Sequence, residues 1–89
     1  MAWTITNKQR DAMTLTLDDG VRVNLPGGGS VIVNSGIAFI EYHGLRYPRV
    51  GIWPFPDNQN VEASYPGRQN IEIRNPQTAV TAIYHHEGP

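Results

Sequence analysis

Apolar and polar residues alternate at every second position along most of this chain, and the three-to-four spacing of an amphipathic helix is found nowhere. Successive side chains of a strand point to opposite faces, so this rhythm builds half-buried strands. Trp3 and Ile5 alternate with Thr4 and Thr6 over residues 2–7, and Met13, Leu15 and Leu17 alternate with Thr14 and Thr16. Asp18-Asp19-Gly20 supplies residues that tolerate the positive φ of a hairpin turn, after which Val21, Val23 and Leu25 alternate with Arg22 and Asn24. These three segments are expected to form a meander with one core face and one wet face. Strands also read out over 31–33, 37–42, 45–53 (split in two by Pro48), 61–65, 71–74 and 78–86. The expectation is an all-β fold in one domain, 1–89: a small antiparallel β-sandwich or partly open β-barrel of about eight short strands without significant helix.

Two of these segments lack a wet face. In 37–42, Ile37 and Phe39 are read on one side and Ala38, Ile40 and Tyr42 on the other. In 78–86, Ala79, Thr81 and Ile83 oppose Val80, Ala82 and Tyr84, and neither side is charged. A strand that is apolar on both faces is buried on both faces. In 89 residues that cover must come from the chain's own loops or from a second chain.

Residues 51–58 (Gly-Ile-Trp-Pro-Phe-Pro-Asp-Asn) place two large aromatics among prolines. Proline has no N–H for a ladder and holds its predecessor extended. Trp53 and Phe55 therefore sit in a stiff segment outside any sheet, where they cap a core or meet a partner. Five of the eight aromatics (Phe39, Tyr42, Tyr47, Trp53 and Phe55) fall between positions 39 and 55. Trp53 is expected to plug the sandwich end, and Phe55 to touch a neighbour.

Composition narrows the function. With no cysteine, disulfides and thiolate metal sites are excluded, which leaves oligomerisation as a staple for a small domain. A net charge of −1 argues against a nucleic-acid binder. Of seven basic residues only Lys8 is a lysine, and arginine over lysine is the bias of protein interfaces. No apolar run reaches the roughly 20 residues needed to cross a bilayer as a helix, and the N-terminal residues lack a signal-peptide pattern, so synthesis in the cytoplasm is expected. Both chain ends, Met1 and Gly88-Pro89, are expected to pack on something.

The search for chemistry yields little. The three glycines 27–29 lead into a strand rather than into Lys-Ser/Thr and a helix, so they form a flexible connection and not a phosphate cradle. His85, His86 and Glu87 resemble metal ligands, with His43 as a third histidine, but neighbours on a strand point oppositely. Asp18 and Asp19 are turn residues, and Ser30, Ser35 and Ser64 have no adjacent base. No catalytic residue, metal or cofactor is expected, and the chain is read as a non-enzyme.

The sequence therefore reads as a structural module that binds other protein subunits, as a homo-oligomer or on a larger lattice, with no nucleic acid or membrane as partner. The partner-binding residues are expected to be Ile37, Phe39, Tyr47, Arg49, Trp53, Phe55, Arg74 and Tyr84, on strands 37–42 and 78–86 and the segment 47–56. At the level of class, a phage virion component fits: a capsid decoration or stabilising protein, or a tail-associated subunit. One alternative is a carbohydrate or small-ligand platform on residues 47–55, with Asn58, Gln59 and Asn60 as hydrogen-bonding groups. Another is a protein inhibitor or antitoxin-like binder.

Overall fold

The computed structural model describes residues 1–88, and every regular element among them is a strand. The strands are β1 (Trp3–Asn7), β2 (Met13–Leu17), β3 (Arg22–Leu25), β4 (Ser30–Val33), β5 (Ile37–Tyr42), β6 (Leu45–Val50), β7 (Gln59–Ser64), β8 (Asn70–Arg74) and β9 (Thr81–His85). They form one nine-stranded sheet in the order β3-β2-β5-β6-β9-β8-β7-β1-β4, nearly closed into a barrel. All neighbours are antiparallel except β1 and β7, which run parallel with Trp3 opposite Gln59 and Asn7 opposite Ala63. The all-β, partly open barrel read from the alternation is the fold, with nine strands in place of about eight. There is no helix long and apolar enough to cross a membrane among the described residues.

The sheet folds on itself at β6. Its first part pairs with β5, ending at Phe39–Pro48, and its last two residues, Arg49 and Val50, pair with β9. Pro48 stands at this handover and does not split the segment into two strands, as its missing N–H led us to expect. The other ends of the sheet, β3 and β4, are its two edges, joined by residues 26–29.

The expected meander of β1, β2 and β3 is not formed, because β2 pairs with β3 and β5 while β1 crosses to lie between β4 and β7. The end of β1 is fixed in this place by Asn7, a fully buried polar residue. Its side-chain amide donates to the carbonyls of Asp11 (2.9 Å) and Leu25 (3.3 Å), and its side-chain oxygen accepts the Gln9 N–H (2.8 Å). Its main chain donates to Gly29 O (2.9 Å) and accepts from Gly28 N (3.1 Å). One side chain thus ties the β1–β2 turn to the β3–β4 loop. The loop lies so close that a Cβ on Gly27 would stand 1.9 Å from the Arg10 carbonyl oxygen, which admits only glycine.

Inside, the alternation behaves as read. Met13, Leu15 and Leu17 of β2, Ile71 and Ile73 of β8, and Ala82 and Tyr84 of β9 all enter one core. Each aliphatic side chain so buried stabilises the fold by about 1.5–3 kcal/mol. The inner face of β5 departs from strict alternation. A register shift opposite Thr16 and Leu17 brings Ile37 into the core with Ile40 and Tyr42, and leaves Phe39 outside. Phe39 is not bare, since the Arg46 guanidinium lies 3.8 Å above its ring. Neighbouring Glu41 is paired with Arg22 at 2.8 Å. The second face of β5 is therefore covered by the chain's own arginines. In 78–86 only Thr81–His85 is strand; Ala79, with φ 62°, belongs to the preceding turn. Met1 is exposed rather than packed, and Pro89 lies outside the described residues.

Candidate functional site

Strand polarity gives the barrel two unlike ends. At one end lie the start of β1, the β2–β3, β4–β5 and β8–β9 turns, and residues 51–58. Trp3, Trp53 and Phe55 plug it: Trp53 meets Trp3 edge-on at 5.7 Å and Phe55 edge-on at 4.8 Å. The Trp3 indole N–H is anchored on Pro56 O at 2.9 Å. Gly36 lets the plug seat, since a Cβ there would come within 2.8 Å of the Trp53 ring.

A polar brace lies beneath the plug. Arg49 turns inward from β6, and its Nη1 donates to Ile37 O (2.7 Å) and to the two carboxylate oxygens of Asp18 (3.1 and 3.2 Å). Its Nε donates to Gly51 O at 3.2 Å, holding the start of the 51–58 segment. The Tyr84 hydroxyl donates to the same Ile37 carbonyl at 2.7 Å. Burial drives the Tyr84 phenol far above its ordinary range, an effect that Arg49 only partly offsets, so this hydroxyl stays a donor. With Asp18 partly exposed, the ion pair contributes about 1 kcal/mol. Its effect is positional, fixing β6, the β2–β3 turn and β5 to one another.

The rim of this end is apolar. Of seven exposed large hydrophobic residues among those described, Met1, Val21, Val50, Ile52 and Val80 stand at it, with Ile52 83% and Val50 60% exposed. Single exposed apolar residues are ordinary on a protein surface, but five on one end of a small barrel are a concentration of the kind that marks contact surfaces.

The opposite end is built from tyrosine and histidine. Tyr65 stands edge-on to Tyr42 (5.7 Å) and Tyr47 (6.1 Å), and Tyr47 meets His86 at 5.8 Å. The Tyr47 hydroxyl donates to Tyr65 Oη (3.2 Å), which in turn donates to Arg68 O (2.7 Å). Burial, and then the bond to Tyr65, raise the Tyr47 phenol well above its usual range. His43 lies in a two-residue turn with Gly44, both at positive φ, the geometry that matches strand twist in tight hairpins. It stacks on Tyr42 at 4.0 Å and bonds Asp11 through Nε2 at 2.7 Å. The rings of His85 and His86 stack 5.5 Å apart, with His85 bonded to Asn70 and His86 to Glu87 O. No group of three metal-ligating side chains is assembled among the described residues.

The residues expected to bind partners are thus dispersed. Ile37, Tyr47, Phe55 and Tyr84 are buried within the domain. Phe39 lies under Arg46, Arg49 is drawn into the brace, and Arg74 is on the outer wall opposite Glu62. Trp53 plugs the end of the barrel as expected, half-buried and packed on the core, whereas Phe55, expected to touch a neighbour, is only 5% exposed and belongs to the plug as well. Tyr47 and Trp53 belong to opposite ends and do not form one platform. Gln59, offered above as a ligand contact, instead accepts a hydrogen bond from the Asn75 amide. Ile52 and Val50 escaped the reading altogether. The available signal was an isoleucine between glycine and tryptophan in a segment with no strand face to bury it.

These features define a class, a small mixed β-barrel with an aromatic plug at one end. Comparison with protein-family models, curated proteins and solved structures finds no match to the chain.

Proposed function

We propose that the chain is a non-catalytic assembly module that docks onto another protein through the plugged, apolar-rimmed end of its barrel. The observation that carries this reading is the gathering of the exposed Val21, Val50, Ile52 and Val80 at the barrel end that Trp53 plugs, on a rim held in shape by Arg49 and Asp18. A preorganised apolar surface loses little conformational entropy on binding, which favours stable attachment. Within this class we assign the chain to phage virion components, as a capsid decoration, stabilising or tail-associated subunit made in the cytoplasm and carried on the particle. The chain's arginine bias and small size support that placement.

The test is sedimentation of particles from the native source, followed by detection of this chain. It is expected in the particle fraction, and Ile52→Asp, which charges the rim without touching the core, should release it while leaving the melting temperature unchanged. A chain found only free, or an Ile52→Asp variant that stays bound, refutes the docking surface. Recovery in a one-to-one complex with a single soluble protein would instead favour the inhibitor reading.

A further inference from the structure

The barrel is not closed, and its free edge at β4 has a defined hydrogen-bonding phase. Asn7 N–H donates to Gly29 O at 2.9 Å, and the β1–β4 register places Ile5 opposite Val31 and Trp3 opposite Val33. Bonded pairs alternate along an antiparallel ladder, so Val31 and Val33 bond to β1. The backbone N–H and C=O groups of Ser30 and Ile32 therefore point away from β1, along an edge that no other strand covers.

Edge strands of this kind are ordinarily protected by a lysine, a proline or an inward charge. Here none is present: residues 23–40 contain no charged side chain, and the one proline, Pro26, precedes the strand. Ile32 adds an apolar side chain that is 71% exposed. The other edge, β3, differs, because Arg22 stands on it tied to Glu41. An uncharged edge is complementary to itself, since two copies brought together across a twofold axis meet no like charge.

We infer that β4 is a self-association edge, and that two copies of this chain pair β4 to β4 in antiparallel fashion. With the axis at Val31, Ile32 of each copy faces Ser30 of the other, and the outward groups form about four hydrogen bonds. The two sheets become one, and each Ile32 is covered beside the seam. The contact uses none of the rim residues at the plugged end, so it stands or falls separately from the docking surface proposed above.

Sedimentation velocity across a concentration series, combined with amide hydrogen exchange, tests this. A dimer is expected, with exchange of the Ile32 amide slowing as concentration rises while Val31 stays protected throughout. Ile32→Pro removes an N–H that β1 does not use, at a position where an edge strand tolerates proline. It should weaken the dimer about a hundredfold, roughly tenfold for each of the two symmetry-related bonds, and leave the dilute monomer folded. If that variant does not fold, Ile32→Lys, which keeps the backbone donor, should weaken the dimer by placing a charge in the seam. Ile52→Asp should leave it intact. A monomer at every concentration, or a dimer that survives both Ile32 variants, overturns the inference.

Discussion

Asn7 is the residue that ties the β1–β2 turn to the β3–β4 loop, and Asn7→Ala isolates its side chain because the main-chain bonds to Gly28 and Gly29 survive the change. Three hydrogen bonds are lost, to Leu25 O, which is buried, and to Asp11 O and Gln9 N, which are partly buried. At about 1 kcal/mol net each, the expected loss is about 3 kcal/mol. For a domain of this size that lowers the melting temperature by about 12–24 °C. Urea unfolding followed by circular dichroism measures it directly. Asn7→Asp sharpens the test, because a carboxylate still accepts from Gln9 N–H but faces two carbonyl oxygens. Burial and those carbonyls hold the introduced carboxyl above its unfolded pKa of about 3.9, so the folded state binds the extra proton. Its stability relative to the parent should therefore fall as pH rises from 4 to 8. A loss below about 1 kcal/mol for Asn7→Ala, or an Asn7→Asp penalty independent of pH, would refute the clasp.

Gly27→Ala should cost about 2–4 kcal/mol, because its Cβ meets the Arg10 carbonyl, a backbone group that cannot rotate aside. Gly20→Ala, with φ 90° but nothing within 4 Å, should cost only about 1 kcal/mol, and equal melting temperatures for the two would exclude the clash. Tyr84 gives an alkaline signature: burial raises its folded pKa, so the native state retains a proton that the unfolded chain loses near pH 10. Stability should accordingly fall as pH climbs above about 10, and Tyr84→Phe should flatten that slope. At neutral pH Tyr84→Phe should cost only about 1 kcal/mol, since Arg49 still donates to Ile37 O. Urea midpoints between pH 8 and 11 decide it, and an unchanged slope in the variant removes Tyr84 as the source.

Local chemistry was legible in the sequence where neighbours along the chain decide the outcome. The Asp18-Asp19-Gly20 hairpin formed as read, with Gly20 N–H on Leu17 O, and so did the inward faces of β2 and β8. Pairing between distant strands was not legible. A two-residue period places Trp3 and Ile5 on one face but says nothing about which strand lies beside them, so the parallel pairing with β7 left no trace. Asn7 looked like the start of a polar turn, and its burial depends on two segments that meet it only in the folded chain. The register shift opposite Thr16 and Leu17 likewise moved Ile37 across the sheet against its parity. At the candidate site, the prolines correctly placed Trp53 and Phe55 outside the sheet, although the strand read over 45–53 already stops at Val50. They could not say which ring faced inward, because that follows from Trp3, a residue 50 positions away from Trp53.

The parallel seating of β1 beside β7 also orders events during synthesis. β2 with β3, and β5 with β6, can pair through short turns as they emerge, whereas β1, made first, has no neighbour on its β7 side until Ala63 has left the ribosome. At about 5–20 residues per second that is a delay of several seconds, during which Trp3 and Ile5 are carried in a strand with at most one flank paired. Such distant pairings slow folding, because a long loop must close before any contact compensates its lost entropy. The first strand made thus waits for a partner that is among the later ones, and nascent chains arrested before residue 63 should leave it open to protease while the β2–β3 hairpin is already protected.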